Sequence, residues 1–129
     1  MQVNLNCNSP KPQFGMAIHS NEEVNKAIAR RVKNMKAAER IENAFARAKK
    51  NDLVDITLGV LSDGESIGAN IFTRDLGNET SYFSQHRENA FTKLTKGVVG
   101  FIEGLVVRAE TVAQKVKKQM AIEDRLKNL

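Results

Sequence analysis

The chain has 129 residues and a formal charge of +5, from 20 Lys and Arg against 15 Asp and Glu. A hydrophobic share of 41% argues against a disordered chain, and a single cysteine against a disulfide-built scaffold. No stretch approaches the ~18 apolar residues that span a bilayer. The first residues show neither a basic leader nor an apolar run, so the expectation is a cytoplasmic single domain over 1–129. Residues 1–13 are expected as an extended arm and 121–129 as a fraying end.

The net charge hides a segregation. Residues 20–50 carry +5, residues 51–85 carry −5 and residues 86–129 carry +4. Two basic segments flank an acidic one, an asymmetry that steers polyanions towards one surface. The plain alternative is that helices tolerate Lys and Arg while turns favour Asp.

Two short strands, Gln2–Cys7 and Phe14–His19, flank the Pro10 and Pro12 segment. Ser20 with Glu23 reads as a capping box opening a helix, and Lys49, Lys50 and Asn51 suit its end. Between them Val24, Ile28, Val32, Met35, Ala38, Ile41, Phe45 and Ala48 form the apolar stripe of one helix of about thirty residues. That stripe rotates by roughly a quarter turn between Ile28 and Phe45, so its halves face different partners.

Residues 53–75 carry the strongest strand signal. Val54, Ile56, Leu58 and Val60 alternate with polar residues or Gly, Asp63-Gly64 follows, and Ile67, Ala69 and Ile71 resume the alternation. An Asp-Gly pair in that setting predicts a type I′ hairpin. Val60 then faces Ile67, Leu58 faces Ala69 and Ile56 faces Ile71. The opposite face brings Gly59 against Gly68, beside Thr57 and Asn70, leaving a bare patch: a bend in a twisted hairpin, or room for a docked segment or ligand. A turn at Gly77-Asn78 and a third strand over Thr80–Ser84 come next. From about His86 the helical period returns, with Phe91, Leu94, Val98, Phe101, Leu105, Ala109, Val112, Val116 and Met120 as its stripe.

The expected fold is α+β: a short antiparallel sheet of three to four strands with two long amphipathic helices packed on one face, in the order β-α-β-β-(β)-α. In outline this order resembles the small ribosome-hibernation factors, which set two basic helices on one face of a short sheet. The resemblance is one of architecture, which does not fix function, and it carries over no functional residue.

Two surfaces stand out. Gly97, Gly100 and Gly104 share one side of the second helix, opposite its stripe, within a segment whose only charge is Glu103. Each helix glycine costs about 1 kcal/mol relative to Ala, so this side calls for a cover: the first helix, a second copy of the chain, or a ligand. The first helix repeats Lys26, Lys33, Arg40 and Arg47 every seven residues, with Arg30 and Lys36 beside them. Such a ridge tracks a phosphate backbone or is simply a solvated face, and aromatics interleaved for base stacking are missing from it.

Chemistry is harder to find. His19 and His86 are far apart, Cys7 is isolated, and no Gly-rich phosphate loop follows a strand. No catalytic, metal or cofactor site is expected. The leading expectation is a non-catalytic binding or assembly protein, most simply a homodimer, that self-associates through Gly97, Gly100, Gly104 and Val107. The alternative is an RNA- or ribosome-binding module using Lys26, Arg30, Lys33, Lys36, Arg40 and Arg47.

Overall fold

A computed structural model describes residues 18–74 and 81–129. It is an α+β fold in the order β1 (Ile18–His19), α1 (Glu22–Arg31), α2 (Met35–Ala48), β2 (Val54–Val60), β3 (Ile67–Thr73), β4 (Phe83–Arg87), α3 (Ala90–Thr95) and α4 (Gly97–Leu126). The four strands form one sheet in the order β1-β2-β3-β4. It is mixed, since β1 runs parallel to β2 while the other pairs are antiparallel. The wholly antiparallel expectation is corrected here, because α1 and α2 carry the chain across the sheet between β1 and β2. The strand over 2–7, residues 14–17 and the Gly77-Asn78 turn lie outside the described residues.

The hairpin register is the expected one. Val60 pairs with Ile67, Leu58 with Ala69, Ile56 with Ile71 and Gly59 with Gly68. Ile18, Val54, Ile56, Leu58, Ile67, Ala69 and Ile71 are buried under the helices, so alternation leaves the other face of each strand uncovered by them. The turn itself is longer than type I′. The N–H of Gly64 donates to the Leu61 carbonyl, the N–H of Leu61 donates to Ser66, and Gly64 has φ +77°. Asp63 fastens this loop by accepting from the Ser66 hydroxyl and from the N–H groups of Ser66 and Glu65.

Both long helices are interrupted. Asn21, not Ser20, caps α1 by accepting from the N–H of Val24. Val32 then adopts an extended backbone, and Asn34 caps α2 by accepting from the N–H of Ala37. An Asn side chain that satisfies a free helix N–H starts a new helix more readily than it continues an old one. The break also accounts for the rotating stripe, since Val24, Ala27 and Ile28 are buried from α1 while Ala44 and Ala48 are buried from α2. The third strand begins later than expected, at Phe83. Asn89 caps the short α3, and Gly97, at φ +68°, separates it from α4. Phe91 and Leu94 therefore leave the stripe and stand 74% and 85% exposed.

The remaining stripe of α4, from Val98 to Val116, fills the core against α2, β2 and β3. Arg40 pairs with Glu103 and Arg47 with Glu110; both pairs are 63 residues apart, so α2 and α4 run parallel. Asn51, at the end of the α2 turn, is buried: its amide donates to the Ala109 carbonyl while its oxygen accepts from the N–H groups of Leu53 and Val54.

The deepest polar tie joins Arg31 to Glu88. The guanidinium bonds both carboxylate oxygens, at 2.5 and 2.9 Å, and Glu88 also accepts from the N–H of Ile67. Removing one partner of a buried pair leaves an uncompensated charge, so Arg31→Met should cost roughly 3–5 kcal/mol in urea unfolding. Arg40→Ala or Arg47→Ala, in solvent-screened pairs, should move the urea midpoint far less.

Acid should also weaken the fold. Hydrogen bonds from Ser66 hold the Asp63 carboxyl well below the usual range; Lys93 lowers Glu65 and Arg40 lowers Glu103. Depressed carboxyls stabilise the fold fully above their unfolded values of ~4, and that contribution fades as pH falls below them. Urea midpoints should therefore drop between pH 7 and pH 3, and the drop should shrink in Asp63→Ala.

Candidate functional site

The uncovered face of the sheet is ordered in three rungs. In the first, Asp55 lies beside Phe72, which lies beside Phe83. In the second, His19 meets Thr57, then Asn70, then Gln85. In the third, Gly59 meets Gly68, then Arg87. Successive rungs are two residues, or about 7 Å, apart along the strands. Phe83 is 64% exposed, so the directly opposed Phe pair offers ring surface to solvent.

Where the two glycines meet, the face sinks into a recess of about 210 Å³ edged by Thr57, Asn70, Gln85 and Arg87. A Cβ on Gly59 would touch nothing within 4 Å, whereas one on Gly68 would meet the Leu61 side chain at 2.8 Å. Leu61 therefore leans over Gly68, and the space above Gly59 stays open. The bare patch expected from the register is present and rimmed by hydrogen-bonding side chains. The carboxylate on this face, Asp55, is bonded to Arg74 at 2.7 Å. Arg87 carries its charge with no carboxylate partner among the described residues.

Around the β4 edge lies a second recess, about 230 Å³, between β4 and α4. It is lined by His86, Arg87, Thr92, Lys96, Gly100, Phe101, Gly104, Leu105 and Arg108, with no acidic residue. Burial, helped by the positive charge of Arg108, pushes the His86 ring below its ordinary pKa. The His86 ring also lies 2.8 Å from the Ser84 hydroxyl, but among the described residues no carboxylate orients it as a triad would.

The glycine side of α4 is open among the described residues. Nothing lies within 4 Å of a Cβ on Gly104 or Gly97, and Val107 is 47% exposed. The α2 helix packs on a different side of α4, the one bearing Glu103 and Glu110. Gly97 is the junction residue between α3 and α4, so the mid-helix glycines are Gly100 and Gly104.

The ridge of the first helix is divided. Arg40 and Arg47 are bonded to Glu103 and Glu110, Arg30 reaches the Gly64 carbonyl, and Lys33 the Arg30 carbonyl. Lys26 and Lys36 have no carboxylate partner among the described residues. An apolar groove of about 750 Å³ follows the elbow between α1 and α2, past Ile28, Val32, Met35, Ile41 and Phe45. Among the described residues no three His, Cys, Asp or Glu side chains are grouped to hold a metal ion, and no helix is long and apolar enough to cross a membrane.

Sequence reasoning missed Phe72, Phe83, Gln85 and Arg87. The signal was the alternation of Phe83, Gln85 and Arg87 with Ser84 and His86, hidden by ending that strand at Ser84 and resuming the helix at about His86. Compared with protein-family models, curated proteins and solved structures, the chain matches none.

The open glycine side yields a stability test. Gly104→Ala should raise stability by about 1 kcal/mol, because the new methyl group meets nothing and the helix gains propensity. Gly97→Ala, forced to φ +68°, should lower it by about 1 kcal/mol. Loss of stability in Gly104→Ala would mean that this side is packed against something in solution.

Proposed function

We propose that the protein is a non-catalytic module that binds single-stranded nucleic acid across the open face of its sheet. The observation that carries this reading is the Phe72–Phe83 pair, set one rung from the Thr57, Asn70 and Gln85 side chains and two from Arg87. Aromatic rings stack bases of any identity, amides and hydroxyls hydrogen-bond base edges or sugar, and an unpaired guanidinium holds a phosphate. The glycine recess admits a flat group close to the backbone. Here the nucleic-acid reading moves from the ridge of the first helix to the sheet, where the aromatic rings missing from that ridge are found.

A dimer through Gly100, Gly104 and Val107 is the second reading, favoured by the exposure of Val107 beside open glycines. Arg108, Lys115 and Lys118 lie within about 40° of Gly104 on the same stripe. Packed on its own copy, that stripe would bring like charges together, which places this reading second.

Fluorescence anisotropy with labelled oligo(U) and oligo(dT) tests the primary reading. Phe83→Ala should weaken binding about tenfold, since stacking contributes about 1–3 kcal/mol per base. Gly59→Val should fill the recess and weaken binding while unfolding at the same urea concentration or higher. Wild-type affinity in both variants, or no binding at low salt, would contradict the reading.

A further inference from the structure

The cations on the two flanks of α4 are treated differently. Towards α2, Arg40 and Arg47 each meet a glutamate at hydrogen-bond distance. Towards β4, Lys96 and Arg108 line a groove without a carboxylate, and neither has an ion-pair partner among the described residues. Arg87 belongs to both surfaces: it ends the third rung of the open face and lines this groove. Since β4 is the edge strand of the described sheet, no neighbouring strand separates the two.

We infer that the groove between β4 and α4 receives the phosphate backbone of a nucleic-acid strand that leaves the sheet at Arg87 and turns round the β4 edge. This rests on the sheet-face reading, because the strand must first lie on the sheet. The charges come in sequence along the path. Arg87 takes the phosphate at the edge, Lys96 and Arg108 hold the next from either side of the trough, and Lys115 and Lys118 continue the same stripe of α4. Cations without carboxylates to satisfy them bind phosphate at no cost of breaking an existing pair. His86 lines the same groove, and burial, with Arg108 beside it, lowers its proton affinity.

Sterics agree with the charge. A backbone of sugar and phosphate needs depth, and the floor of the groove is Gly100 and Gly104. A Cβ at Gly104 has nothing within 4 Å to meet, so no neighbour among the described residues keeps the position small. At Gly100 the near neighbour is the Cβ of Lys96 at 2.9 Å, which brings the base of that lysine side chain against the trough. Lys96 thus accounts for the missing side chain at Gly100, whereas Gly104, a poor helix former that no described neighbour requires, leaves clearance for a ligand.

The test is a length and salt series of oligo(U) and oligo(dT), one set of roughly 4 nucleotides and one of roughly 16, by anisotropy on the full chain. The short set reaches the sheet alone; the long set also reaches the groove. The double variant Lys96→Ala, Arg108→Ala should leave short-oligomer affinity unchanged and weaken the long oligomer about tenfold. Its slope of log affinity against log salt should fall by ~1.4, from ~0.7 per phosphate contact. Gly104→Gln, which keeps the charge and fills the trough, should weaken only the long oligomer, with circular dichroism confirming an intact helix. Wild-type affinity and slope for the long oligomer in the double variant would overturn the groove while leaving the sheet reading in place. A short oligomer that fails to bind, or that ignores Phe83→Ala, would overturn the sheet reading and this inference with it.

Discussion

The fully buried Glu88 carboxylate is the constraint on which the working surface depends. It replaces a rung of the sheet: the N–H of Ile67 donates to its side chain, while its own N–H donates to the Ile67 carbonyl. Arg31 neutralises it from the end of α1 and also reaches the Glu65 carbonyl in the hairpin loop. Four segments, α1, the β2–β3 loop, β3 and the chain leaving β4, therefore meet at one charge. Because side chains alternate along a strand, a slip of one residue in β4 would turn Phe83, Gln85 and Arg87 towards the helices. A buried carboxylate with its acceptors filled makes that slip expensive.

From that anchoring follows an unequal pair of faces. The helices take the apolar side of β2 and β3, and α4 is pinned to α2 by two salt bridges one heptad apart. What faces away is neither an ordinary charged surface nor a second core. It holds an aromatic pair, a row of amide and hydroxyl groups, and a gap made by two glycines. Arg74 quenches the carboxylate at one end of this face, and Arg87 leaves a positive charge at the other. The polarity of the face thus runs towards the β4 edge, where the positive groove begins.

Much of this was readable from residue order alone, for physical reasons. The β2–β3 register followed from strict alternation around Asp63-Gly64, and alternation has one solution when a face must be buried. The Gly59–Gly68 opening came with it. Helix ends were harder. Asn34 and Gly97 are short-range signals inside long apolar stripes, and periodicity passes over a cap or a left-handed residue without losing its phase. The orientation of Phe83 depends on the register of β4 against β3, and that is held at its far end by Glu88 bonding across to Ile67, a contact between residues 21 apart. The heptad of Lys26, Lys33, Arg40 and Arg47 was visible as a ridge. That two of its members face glutamates on α4 required knowing that the helices run parallel.

The open sheet face and the adjoining groove are the proposed seat of the nucleic acid. Amide chemical-shift mapping of the isotope-labelled protein, titrated with oligo(U), tests it most directly. The largest shifts should fall on Thr57, Gly59, Asn70, Phe72, Phe83, Gln85 and Arg87, and extend to Gly100 and Gly104 only with the longer oligomer. Shifts confined to α1 and α2, around Lys26 and Lys36, or no shifts at any concentration, would contradict it.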